Sequence, residues 1–97
     1  MRERDIEAYL RMRVKELGGI AYKFVSPGHA GVADRIVCMP GGVVWFVEVK
    51  APGGKLSPLQ RLFEVQMSQL GMRYVTIWSK DEVDQWIENW LSREVLT

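Results

Sequence analysis

Three charged residues set the chemistry open to this chain. In Trp45-Phe46-Val47-Glu48-Val49-Lys50, an otherwise apolar strand places Glu48 and Lys50 two residues apart, so both side chains leave the same face. Charge on a mostly buried strand is costly unless it is paired or holds a metal. A hairpin turn at Pro40-Gly41-Gly42 joins this strand to the one before it. The register that follows sets Met39 opposite Val43, Val37 opposite Trp45 and Asp34 opposite Glu48. Directly opposed residues hold their Cβ atoms about 4.5–5.5 Å apart. Two carboxylates so close repel unless one is protonated or a cation lies between them. Hard oxygen ligands favour Mg²⁺ or Mn²⁺ over zinc. Such a site suits phosphodiester hydrolysis, which needs a water activated at neutral pH and charge neutralised on the phosphate. Lys50 beside it would orient the water or stabilise the developing charge. A plain ion pair at a strand end accounts for Glu48 and Lys50 alone; it leaves the facing Asp34 unexplained.

The elements that must position these groups are legible in the pattern around them. Ile6, Leu10, Val14 and Leu17 recur at helical spacing, predicting a helix over residues 3 to 18 that Gly18-Gly19 stops. Residues 20 to 25 read as a strand, and Ser26 to Gly31 as a flexible loop. Residues 34 to 39 and 43 to 50 are the hairpin strands. Ser57 reads as an N-cap with Pro58 at the first helical position, and Leu59, Leu62, Phe63, Met67 and Leu70 as the buried stripe of the helix that follows, ended by Gly71. Tyr74 to Trp78 is a fourth strand. Ser79 opens a last helix with Glu82 completing a capping box, and its stripe is Val83, Trp86, Ile87, Trp90 and Leu91. The order is αβββαβα. An antiparallel central hairpin and a parallel crossover to the fourth strand make an α/β fold with a mixed central sheet flanked by helices.

Composition bounds the rest. The 97 residues suffice for one domain, residues 1–97, and are too few for two. A net charge of +1 excludes a polycation, so any nucleic-acid contact must come from cations gathered locally around an acidic site. The single cysteine, Cys38, excludes an internal disulfide and a zinc cluster. Without a signal peptide or an apolar run near the roughly 18 residues of a membrane span, the expectation is a soluble cytoplasmic protein. Some of the four tryptophans should fill the core, with one or two free for a subunit interface.

The stretches Gly31-Val32-Ala33-Asp34-Arg35-Ile36 and Phe46-Val47-Glu48-Val49-Lys50-Ala51-Pro52-Gly53-Gly54-Lys55-Leu56-Ser57-Pro58-Leu59-Gln60 resemble the PD-(D/E)XK nuclease superfamily, and within it the virus-type replication-repair nuclease (VRR-NUC) domain. Together with the element order, the resemblance spans nearly the whole chain. It implies a restriction-endonuclease-like fold and a Mg²⁺- or Mn²⁺-dependent endonuclease. The metal would be held by Asp34, Glu48 and the backbone carbonyl of Val49, with Lys50 as the catalytic lysine. A carboxylate from the first helix is also implied. Glu7 borders the apolar stripe and is the leading choice, with Glu3 competing nearer the terminus. Ala33 stands where the family often has proline, which shapes backbone and supplies no ligand.

Gln60 carries two readings, as the partner of Ser57 in a capping box and as a residue at the active site. Lys55 and Arg61 are candidates for phosphate contact at the start of the second helix, and His29 a weaker one in its loop. Arg35 should point away from Asp34 by strand alternation. Stand-alone domains of the family imply a homodimer acting on branched DNA such as four-way (Holliday) junctions, in a bacterial or phage-infected cell. A helicase or other replication-repair partner, and a non-catalytic DNA-binding module, are the alternative readings.

Overall fold

The computed structural model describes residues 1–96. Its elements run α1 (Glu3–Glu16), β1 (Ile20–Lys23), β2 (Arg35–Met39), β3 (Val43–Val49), α2 (Pro58–Gln69), β4 (Tyr74–Ile77), α3 (Lys80–Trp86) and α4 (Ser92–Leu96). A π-helical turn, Ile87–Leu91, joins the last two helices. The four strands form one sheet in the order β1-β2-β3-β4, antiparallel across the first two pairings and parallel across the third. This is the expected mixed sheet. The hairpin register also matches, pairing Met39 with Val43 and Val37 with Trp45. The connection is one turn of 3-10 helix, Pro40–Gly42, in which Gly41 and Gly42 take φ near +80°, a region open to glycine at little cost.

One face of the sheet carries the core. Val37, Met39, Val43, Trp45, Val47 and Val49 meet Ile6, Leu10 and Val14 of α1, together with Val83, Trp86, Ile87 and Leu91. Trp45 and Trp86 pack edge to face, with ring centroids 5.6 Å apart. Burial of these side chains is the main force holding α1 and α3 on the sheet.

The opposite face is covered thinly. Phe63 of α2 reaches Phe24, Phe46 and Tyr74, all within 6.4 Å centroid to centroid. The stripe expected to be buried on α2 is not: Leu62 is 50% and Leu70 66% exposed, and Leu59 is exposed as well. Phe63, the aromatic residue of α2, makes its ring contacts to the sheet, and among the described residues no second layer covers Leu59, Leu62 and Val65. Trp90 is a second departure, 60% exposed although its stripe partners Val83, Trp86, Ile87 and Leu91 are buried. The π turn adds a residue to the helical period there and turns Trp90 outward. Glu82 also differs in detail: its amide is capped by Ser79 as expected, but its carboxylate accepts from the amide of Trp78.

The loop from residue 26 to 33 is held close to α2 by Gly31. Gly31 has φ +87°, and a Cβ there would lie 2.5 Å from the backbone of Leu59, whereas a Cβ on Gly28 would meet nothing within 4 Å. Gly31→Ala should therefore lower stability by roughly 1–3 kcal/mol through strain and overpacking, and Gly28→Ala by less than about 0.5 kcal/mol. Denaturant midpoints of the two variants check this, and equal midpoints would contradict it.

Candidate metal centre

The site lies where β2 and β3 end beside each other. Asp34 sits one residue before β2, at the place the register sets opposite Glu48. Its Oδ2 accepts a hydrogen bond from the amide of Val49 at 2.9 Å, so backbone rather than a mobile side chain fixes its direction. Glu48 is 1% exposed, the buried charged residue among the described residues. Lys50 Nζ stands 3.7 Å from Glu48 Oε2. The amide of Gln60 donates to the same oxygen at 3.3 Å.

Both readings of Gln60 hold at once. Its Oε1 accepts from the amide of Ser57 at 2.8 Å, its own amide donates to Ser57 Oγ at 3.1 Å, and its Nε2 is the donor to Glu48. The capping box that starts α2 therefore also aims a neutral donor at the buried carboxylate.

Carboxylate oxygens of Glu3, Asp34 and Glu48 all lie within 4.8 Å of one another. The first-helix residue in this cluster is Glu3, the competing choice, and Glu7, the leading one, lies outside it. Glu7 Oε1 instead accepts from Arg35 Nε at 2.8 Å. Arg35, which strand alternation sends away from Asp34, also reaches the carbonyl of Ala21 with its Nη1 at 3.2 Å.

Lys55, Arg61 and His29 stand apart from the cluster, each exposed to solvent. His29 lines a groove of about 440 Å³ between the 26–32 loop and α2, with Leu59, Leu62 and Phe63.

Burial pushes the Glu48 carboxyl up from its ordinary 4.5 to about 8. Desolvation is the main cause, with the charge of Asp34, a hydrogen bond to it and the charge of Glu3 adding, while Lys50 pulls the other way. Near neutral pH the metal-free site thus keeps a proton that a cation can displace. Three converging carboxylates, one desolvated and short of positive charge, fit a small hard divalent cation.

Comparison with known proteins bears on the fold and the family. No family model matches the chain. A solved structure of a VRR_NUC domain superposes with a TM-score of 0.87, covering 91% of this chain and 96% of that one at 32% identity. A protein of Acyrthosiphon pisum secondary endosymbiont phage 1, named Putative nuclease p44, is 47% identical over 81 residues, which is 84% of this chain and 87% of the relative. Fold and relatives define a nuclease domain of the restriction-endonuclease-like class. The chain belongs to the VRR-NUC family. No helix among the described residues is long and apolar enough to cross a membrane.

The raised Glu48 pKa has a consequence for stability. The folded chain holds a proton on Glu48 that the unfolded chain releases near pH 4.5, so this residue's contribution falls as pH rises toward about 8. Glu48→Gln removes the titration. In EDTA its melting temperature should gain on that of the unmodified protein as pH rises from 5 to about 8. A constant difference across that range would contradict the assignment.

Proposed function

We propose that this nuclease is a Mg²⁺- or Mn²⁺-dependent endodeoxyribonuclease with Glu3, Asp34, Glu48 and the carbonyl of Val49 as its metal ligands. The observation that carries the reading is the convergence of three carboxylates on one point beside a lysine. The bound ion supplies charge neutralisation at the phosphate and acidifies the attacking water.

The chain's own groups do the rest. Asp34, tied to the Val49 amide, and Glu48, tied to Gln60, hold their oxygens before substrate arrives, so little reorganisation is left for the reaction. Lys50 is placed to hold the attacking water by its oxygen or to offset negative charge as the water oxygen bonds to phosphorus and the ester bond opens. Gln60 stays neutral at all pH values and steadies Glu48 without competing for the cation. Lys55 and Arg61, exposed at the entry to α2, are the proposed contacts to flanking phosphates, with His29 a further one.

The substrate proposed is branched DNA such as a four-way junction, cut by a homodimer whose two-fold axis presents two sites to two strands. The unpartnered apolar side chains of α2, Leu62 and Val65 among them, and Ile20 and Tyr22 on the edge strand, support a second copy as the cover for this face. A phage-infected or bacterial cytoplasm is the setting that accords with the phage relative, and a replication-repair helicase is the alternative partner.

Labelled single-stranded, duplex, flap and four-way-junction DNA, incubated with the chain in Mg²⁺, Mn²⁺ or EDTA, tests the activity. Junctions should be cut only with metal. Glu48→Gln and Asp34→Asn should abolish cutting with the fold intact, and Lys50→Ala should slow it by about 10²-fold or more. Turnover retained by either carboxylate variant would remove that residue from the mechanism. Leu62→Glu should convert a dimer into a monomer in light scattering, and a monomeric unmodified chain would remove the dimer.

A further inference from the structure

Glu3 and Glu7 lie one turn apart on α1, while Asp34 and Arg35 are neighbours at the start of β2. Four residues of α-helix rise about 6 Å, and consecutive residues of a strand send their side chains to opposite faces. Two contacts therefore link the same two segments, α1 and the start of β2, one helical turn apart. Glu3 approaches Asp34 in the carboxylate cluster, and Glu7 pairs with Arg35 one turn further along the helix. Together they fix the height of α1 along the strand ends as well as its rotation.

The two contacts differ in strength. Glu3 is exposed, belongs to the first turn of its helix, and approaches two other carboxyl groups, those of Asp34 and Glu48. The Arg2 carbonyl accepts from the amides of Asp5 and Ile6 at 3.1 and 3.3 Å, while the side-chain closure of that turn, from the Arg2 amide to Asp5, is long at 3.4 Å. The Arg35 and Glu7 side chains are only 13% and 23% exposed and meet at 2.8 Å. Arg35 is tethered from its far end to the carbonyl of Ala21 on β1. A pair so sheltered and so anchored resists the fraying that a first helical turn otherwise undergoes.

We infer that the Arg35–Glu7 pair is a positioning device: it holds the first turn of α1 at the height where Glu3 can complete the metal site. The inference rests on the proposal that Glu3, Asp34 and Glu48 bind a divalent cation. Glu7 and Arg35 touch neither the ion nor the substrate. Arg35 also neutralises Glu7, which would otherwise stand one turn away as a competing carboxylate.

Mn²⁺ binding by the full chain, followed by titration calorimetry and by the loss of the free-ion electron paramagnetic resonance signal, tests this without recourse to activity. Glu7→Ala removes the contact and should weaken Mn²⁺ binding about tenfold, the scale of losing an outer-shell support. Glu7→Gln keeps an oxygen able to accept from Arg35 Nε and should stay within about threefold of the unmodified chain. Wild-type affinity in Glu7→Ala overturns the inference. So does equal weakening in both variants, which would mean that the negative charge of Glu7 matters rather than its grip on Arg35. Should Glu7→Ala lose its native circular dichroism, Arg35→Gln reads the same contact from the strand, with the same tenfold loss expected and the same contradiction if absent. A folded unmodified chain that binds no Mn²⁺ would overturn the ion site itself, and the positioning role with it.

Discussion

Two carboxylates on facing strands repel each other near neutral pH, and the architecture around Asp34 and Glu48 is arranged to hold them together regardless. The hairpin register brings them opposite. The Val49 amide then pins Asp34, while burial keeps a proton on Glu48 in the absence of a cation. The core on the other face of the sheet makes this possible. Val47 and Val49, alternating with Glu48, are fully buried against α1 and α3, so β3 cannot slip by one residue without exchanging its apolar and charged faces. Packing on one side thus secures electrostatic strain on the other.

Much of this could be read from residue order. The Pro40-Gly41-Gly42 turn and the alternation of apolar residues on both strands were enough to place Asp34 against Glu48, because register in a hairpin is set by its turn and its buried face. The capping pattern at Ser57 and Gln60 located the start of α2 for the same local reason. The choice between Glu3 and Glu7 was not legible. They share a helical face, so a wheel projection treats them alike, and only the height of α1 against the strand ends separates them. That height depends on the contact of Arg35 with Glu7, a pairing 28 residues apart in sequence.

The other departures have a similar origin. The α2 stripe looked like core because Leu59, Leu62 and Leu70 recur at helical spacing, yet a stripe says only that a face is apolar and not what covers it. In the single chain that face meets the sheet through the aromatic cluster around Phe63 and is otherwise open. Trp90 was misplaced because the α-helical period was carried through residues 87 to 91, where the backbone adopts a π turn with no marker in side-chain type. In each case local periodicity was right and the tertiary partner was what it could not supply.

The account centres on one ion held jointly by Glu3, Asp34 and Glu48. The most direct measurement is anomalous diffraction from crystals of the full chain grown with Mn²⁺. The account predicts a strong anomalous peak within coordination distance of an oxygen from each of the three carboxylates, with Glu7 still on Arg35. A peak bound by Glu7 in place of Glu3, or none between Asp34 and Glu48 at saturating Mn²⁺, would contradict it.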